Sequence, residues 1–318
     1  MHHGPVPVLT RNKGYILKPY RTLLFVSAAN EAMVLTGAAS GADGLILCLE
    51  DLCPQRERPR ARLLLPALMR RLAAENPGLG LFVRVNPLDT IDLSFDLEAV
   101  VRPELDGLVT SKIDGPEDIM RLDALTTEWE RRNGVTAGQI KYVVVPETAE
   151  CMERCYEVAK SARVANVAGT ISRGDVAHAL GFEWTPEGTE TLYLRSRVLM
   201  ASRAAGIRHP LCALWFMKDD LQGLEAYVRR EKQLGYRGAI ILQPYHAAIV
   251  NQVFTPTQAE LDSCNTIIRE FEAALAAGES EVLFEGRMLH GGAYQQALEI
   301  VQLAQDIASL RSAGADKP

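Results

Sequence analysis

The sequence predicts an α/β fold, a (β/α)8 TIM barrel with a C-terminal helical extension. Strand-like and helix-like segments alternate eight times along the chain. Most of the strand candidates are near-continuous apolar runs, as parallel strands covered on both faces require. The first strand runs into FVSAANEAM with no Gly-rich phosphate loop, which sets aside the doubly wound open sheet.

The strand candidates are Thr22–Ser27, Gly44–Glu50, Leu81–Asn86, Leu105–Lys112, Ile140–Glu147, Val164–Thr170, Pro210–Met217 and Gly238–Pro244. The helical patterns between them begin with Glu31–Ser40, which stops at Gly41, and Arg60–Glu75, which ends near Asn76-Pro77. Pro116–Arg132 opens with proline in its first turn and carries Glu117 and Asp118 where the helix dipole favours acids. Ala149–Ser161, Thr189–Ala205, Asp220–Leu234 and His246–Val253 continue the alternation.

Residues 1–254 are thus expected to form the barrel, with 1–20 as an N-terminal arm. The stretch 255–318 forms a separate extension, packing on the barrel or on a neighbouring subunit. There Thr255-Pro256-Thr257 precedes a long helix over Gln258–Ala277, a Gly-containing link leads to Val282–Leu289, and a last helix covers Ala293–Ser309. The terminal SAGADKP is expected to fray.

Composition excludes several function classes. The 318 residues carry 34 Lys+Arg against 40 Asp+Glu, a net charge of −6, which argues against nucleic acid or an anionic membrane as a bulk partner. No apolar run approaches the length of a membrane span, and the first residues lack the pattern of a signal peptide. The 6 cysteines are too sparse for a disulfide scaffold and suit a reducing cytosol, so a cytoplasmic location is expected.

In a TIM barrel the chemistry sits at the carboxyl ends of the strands, where charged groups are not there for packing. That rule selects Glu50 and Asp51 after strand two, Arg84 and Asn86 at strand three, Lys112 after strand four, Glu147 after strand five and Asp175 past strand six. Glu147 and Asp175 lie about one βα repeat apart, which would set two carboxylates side by side. Such a pair repels itself unless a proton or a cation bridges it. A hard divalent ion with oxygen ligands, Mg²⁺ first, resolves the repulsion. No histidine stands beside them, which weakens a zinc reading.

With these residues in place, the chain resembles the HpcH/HpaI aldolase–citrate lyase β-subunit superfamily, in its citrate-lyase-β-like branch. The matching stretches are RTLLFVSA from Arg21, SGADGLILCLEDL from Ser40, FVRVNPL from Phe82, LDGLVTSKI from Leu105 and VVVPET from Val143. ISRGDVAHALG from Ile171, YLRSRVLMASRAAG from Tyr193, GYRGAIILQPYHAAIVNQVFTP from Gly235 and the late FEGRM from Phe284 follow in the family's order.

The resemblance implies Mg²⁺-dependent cleavage or formation of carbon–carbon bonds in 3-hydroxyacyl thioesters such as malyl-, citramalyl- or citryl-CoA, with CoA as part of the substrate. It implies Glu147 and Asp175 as metal ligands and Arg84 as the grip on a keto-acid carboxylate. Glu50 and Asp51 would support the metal site, with Arg21 and Lys112 as basic residues near the substrate. A homo-oligomer, trimer or hexamer, is implied as well.

Several positions depart from the family pattern. Cys48 stands where the LDLED pattern has an acid, Gly174 where the G-x-E-D segment has glutamate, and Gln243 where a histidine precedes proline. His290 follows the late Gly286-Arg287-Met288-Leu289, where relatives carry an aspartate. Two other readings therefore stay open: a pyruvate-type aldolase using the same metal pair on free 2-keto acids, and a non-catalytic ligand-binding or complex subunit on the same barrel.

Overall fold

The computed structural model describes residues 18–169 and 174–312. Most of the expected arm, Thr170, the departure segment at Ser172 and Arg173, and nearly all of the terminal SAGADKP lie outside the described residues. The described residues form two compact units, one running to Phe254 and the other starting at Thr255.

The first unit is the barrel. Its parallel strands are β1 (Thr22–Ser27), β2 (Gly44–Cys48), β3 (Gly80–Arg84), β4 (Gly107–Thr110), β5 (Lys141–Val144), β6 (Val164–Val167), β7 (Leu211–Cys212) and β8 (Gly238–Ile241). They pair in the order β6-β5-β4-β3-β2-β1-β8-β7. The remaining seam, between β6 and β7, is bridged by a side chain. Asn166 donates from Nδ2 to the His209 carbonyl at 2.8 Å and accepts the Leu211 amide at 3.2 Å. Just beyond, the Gly169 amide donates to the Leu211 carbonyl at 2.6 Å, leaving the barrel nearly closed.

Helices fill the crossovers: α1 (Glu31–Ala38), α2 (Arg58–Glu75), α3 (Asp92–Val100), α4 (Pro116–Arg132), α5 (Ala149–Glu153), α6 (Cys155–Lys160), α7 (Asp175–Leu180), α8 (Leu192–Ala204), α9 (Leu221–Leu234) and α10 (His246–Phe254). Alternate residues along each strand serve two cores. Leu24, Val26, Leu45, Leu47, Val83, Leu108 and Val144 pack outward with the helices. Leu23, Phe25, Ile46, Cys48, Phe82, Val109, Val143 and Ile240 fill the barrel interior.

Two elements differ from expectation. The expected strand over Pro210–Met217 is hydrogen-bonded only at Leu211–Cys212, because β7 meets β8 on one side and the Asn166 bridge on the other. Helix α3, between β3 and β4, escaped the pattern of apolar runs because charge anchors it. Arg62 and Arg58 of α2 hold Asp92, and Arg62 reaches the fully buried Asp96 at 2.7 Å. Asp96 in turn takes the Asn86 amide and Nδ2, at 2.8 and 2.7 Å.

The second unit contains α11 (Gln258–Ala276), the antiparallel pair β9 (Glu281–Phe284) and β10 (Arg287–His290), and α12 (Gly291–Ser312). Thr257 caps α11 through a reciprocal bond pair with Glu260, two orphan amides satisfied at once. Phe271 of α11 stacks on Tyr294 of α12 at 5.1 Å.

Candidate active site

Strand alternation decides which charged residues share the barrel mouth. Arg84 follows Phe82 on the inward face of β3, and its guanidinium lies 5.8 Å from the centre of the Phe25 ring. Glu50 continues the inward series Ile46, Cys48 on β2, and Glu147 continues Val143, Val145 on β5. All three are buried, with Arg84 5%, Glu50 3% and Glu147 4% exposed, so their charges must answer one another.

They do so around one atom. Arg84 Nη2 lies 2.6 Å from Glu50 Oε2, 3.2 Å from Asp51 Oδ2 and 3.4 Å from Glu147 Oε1. It also donates to Ser111 Oγ at 3.1 Å. Lys112 adds a second cation: its Nζ lies 3.1 Å from Glu50 Oε1 and 3.9 Å from Asp175 Oδ2. Lys112 reaches the mouth only because its backbone is left-handed, with φ of 54°. In a regular strand it would point away from the side that Ser111 faces.

The acids outnumber the cations, and the electrostatics show it. Burial opposes the Arg84 charge, but Glu147, Glu50 and Asp51 outweigh it and hold the guanidinium above its ordinary pKa. Lys112 follows the same balance, with burial against and Glu50 and Asp175 in favour. Glu147 lands on the other side. Burial pushes its carboxyl up to about 7; Arg84 pulls back, and Glu50, Asp175 and Asp51 repel it further. Burial also pushes the Cys48 thiol up to about 11, so at neutral pH it is an uncharged group in the barrel interior.

Glu147 Oε2 is buried with no hydrogen-bond donor. A buried carboxylate oxygen without a donor, in a cluster of excess acids, is what a hard cation satisfies. Glu147 is therefore the residue here whose environment fits a divalent ion. The described residues do not hold it ready-made: no three His, Cys, Asp or Glu side chains stand together at ligand spacing. The half-exposed Asp175 is engaged by Lys112 instead.

Of the residues selected from the sequence, Glu50, Asp51, Arg84, Lys112, Glu147 and Asp175 come together at this mouth. Arg21 does not. It precedes β1, at the amino end of the strand, where its fork is taken by Asp43 at 2.8 and 2.5 Å. Asn86 stands near the mouth, but its amide is committed to Asp96 and to the Leu49 carbonyl. His290 closes β10 in the second unit, 3.6 Å from Glu281, with its side chain 70% exposed. Sequence reasoning passed over Ser111, an uncharged residue beside a more conspicuous lysine.

A parallel barrel whose carboxyl ends gather an Arg–Lys pair among four acids has the architecture of a TIM-barrel enzyme. The sequence profile described as HpcH/HpaI aldolase/citrate lyase matches residues 21–244, and the chain belongs to that family, and with it to the carbon–carbon lyases. It is 30% identical to the citrate lyase subunit beta of Escherichia coli strain K12, over 90% of this chain and 93% of that protein. It is 26% identical to a (3S)-malyl-CoA thioesterase of Cereibacter sphaeroides, over 92% and 98% respectively. Among solved structures it is similar to the CitE protein of Mycobacterium tuberculosis in complex with magnesium, acetoacetate and coenzyme A. That match has a TM-score of 0.69 at 21% identity, covering 91% of this chain and all of the other.

Proposed function

We propose that this protein is a Mg²⁺-dependent carbon–carbon lyase that cleaves, or in reverse forms, a small 3-hydroxyacyl-CoA thioester of the malyl, citramalyl or citryl type. The observation that carries the reading is the buried Arg84 guanidinium shared among Glu50, Asp51 and Glu147, with Lys112 and Asp175 beside it. The family membership and the likeness to a malyl-CoA thioesterase support a CoA-linked substrate.

Cleavage breaks the bond between the hydroxyl-bearing carbon and the carbon next to the thioester. The hydroxyl gives its proton to a base, and its carbon becomes the carbonyl of a 2-oxo acid. The electron pair of the broken bond moves onto the thioester carbonyl as an enolate, which then takes up a proton to leave the acyl-CoA. Arg84 binds the carboxylate of the acid half through its planar fork, which suits two parallel bonds to one carboxylate. Glu50 and Asp51 hold the guanidinium by its Nη2, and Lys112 adds positive charge at the rim. Glu147 and Asp175 would hold Mg²⁺, which when bound supplies Lewis-acid polarisation of the hydroxyl and carboxylate oxygens. The cysteines are buried and unpaired, which suits a cytosolic setting. Assembly as a homo-oligomer belongs to the same reading.

The test is a panel of malyl-, citramalyl- and citryl-CoA with and without Mg²⁺, set against the free acids, with products identified. A keto acid plus an acyl-CoA, from the thioester only and only with Mg²⁺, is expected. Arg84→Lys should raise KM at least about tenfold through loss of the fork. Turnover of free acids alone would favour the pyruvate-type aldolase. Release of CoA with an intact hydroxy acid would mean hydrolysis. No turnover, and no deuterium exchange into acetyl-CoA or pyruvate, would mark a non-catalytic subunit.

A further inference from the structure

We propose that Ser111 is a positioning residue that sets Arg84 for the carboxylate of the small acid; this rests on the functional reading above. Four groups surround Arg84 Nη2: it donates hydrogen bonds to Ser111 and Glu147, at 3.1 and 3.4 Å, and pairs in charge with Glu50 and Asp51, at 2.6 and 3.2 Å. Three of the four are anionic. Each of those competes with an incoming carboxylate for the guanidinium charge, and each is a group that a divalent cation attracts. Ser111 is the neutral member. Its hydroxyl orients Nη2 without spending the charge that binds the substrate, and it keeps doing so when the acids turn to a cation.

The backbone is arranged for this. Ser111 is 1% exposed and continues the inward face of β4 after Val109. The next residue, Lys112, adopts φ of 54°, and both side chains thereby serve the same mouth. Consecutive residues of extended backbone face opposite sides, so the left-handed turn is what makes room for both. Ser111 thus acts through Arg84, on binding of the acid half and not on bond breaking.

Calorimetric titration of pyruvate and glyoxylate in the presence of Mg²⁺, on the full chain and on Ser111→Ala and Ser111→Thr, tests this. Loss of a hydrogen bond to a charged group predicts about tenfold weaker acid binding in the alanine variant. KM should rise by the same factor with kcat within about twofold, since the contact is made equally in ground and transition states. The threonine variant should bind within about threefold of the original chain, and the melting temperature should hardly change in either. Equal affinity in Ser111→Ala would overturn the inference and leave the function intact. Parallel loss of melting temperature, kcat and affinity would overturn it too, by making Ser111 a packing residue. If the original chain binds neither acid and turns over no thioester, the functional reading itself fails and takes this inference with it.

Discussion

At the scale of single residues, Glu147 is where protonation and stability meet. Its carboxyl has an ordinary value of 4.5 and is pushed up to about 7 in the folded chain, chiefly by burial. Between those values the folded protein holds a proton that the unfolded chain has released. Stability without metal therefore falls as pH rises through that window, and the cost is complete above about 7. Its size is on the order of 3 kcal/mol. In the presence of a chelator, urea titration at pH 8 should find Glu147→Gln more stable than the original chain, with the difference vanishing below the ordinary carboxylate range. No pH-dependent difference would mean that the buried acid carries no such cost. The acids, Arg84 and Lys112 were legible in the sequence because a charge at a strand's carboxyl end has no packing role. Ser111 was not, since a lone hydroxyl is silent without its partner. Arg21 was misplaced by similarity alone: it precedes its strand, and position already assigns it to the opposite end of the barrel from the chemistry.

At the scale of elements, the weakest link is the seam between β6 and β7. There a side-chain amide replaces a strand ladder, with Asn166 satisfying the His209 carbonyl and the Leu211 amide. Asn166→Ala leaves the buried Leu211 amide without its acceptor, at a cost of about 2 kcal/mol. Hydrogen exchange at Leu211 should accelerate markedly while exchange within β2 and β3 changes only in proportion to global stability. Uniform acceleration across the sheet would mean that the seam is not a separate local feature. The short β7 explains why sequence overreached there: residues 210–215 are apolar because they are buried, and burial does not require a ladder. Helix α3 was missed for the converse reason. Its place is secured by the buried Arg62–Asp96–Asn86 network, and charge partners leave no periodic signal in a nine-residue helix.

At the scale of the whole molecule, the order of apolar runs was enough for the barrel, because parallel strands covered on both faces cannot be read as anything shorter-ranged. The tail followed the same logic less completely. The long helix opens at its capping box, while Val282–Leu289 is a strand pair turning at Glu285-Gly286, where both residues have positive φ. The sequence places the site's acids and cations at one barrel mouth, but which of them touch, as Arg84 and Lys112 both touch Glu50, depends on the closing of the sheet. The proposed function rests on that convergence, and on two of its acids in particular. Titration of Mn²⁺ into the chain, followed by electron paramagnetic resonance and competed with Mg²⁺, measures it directly. One ion per chain is expected, displaced by Mg²⁺, with affinity reduced at least about tenfold in both Glu147→Ala and Asp175→Ala. Undiminished binding in both variants would contradict the account.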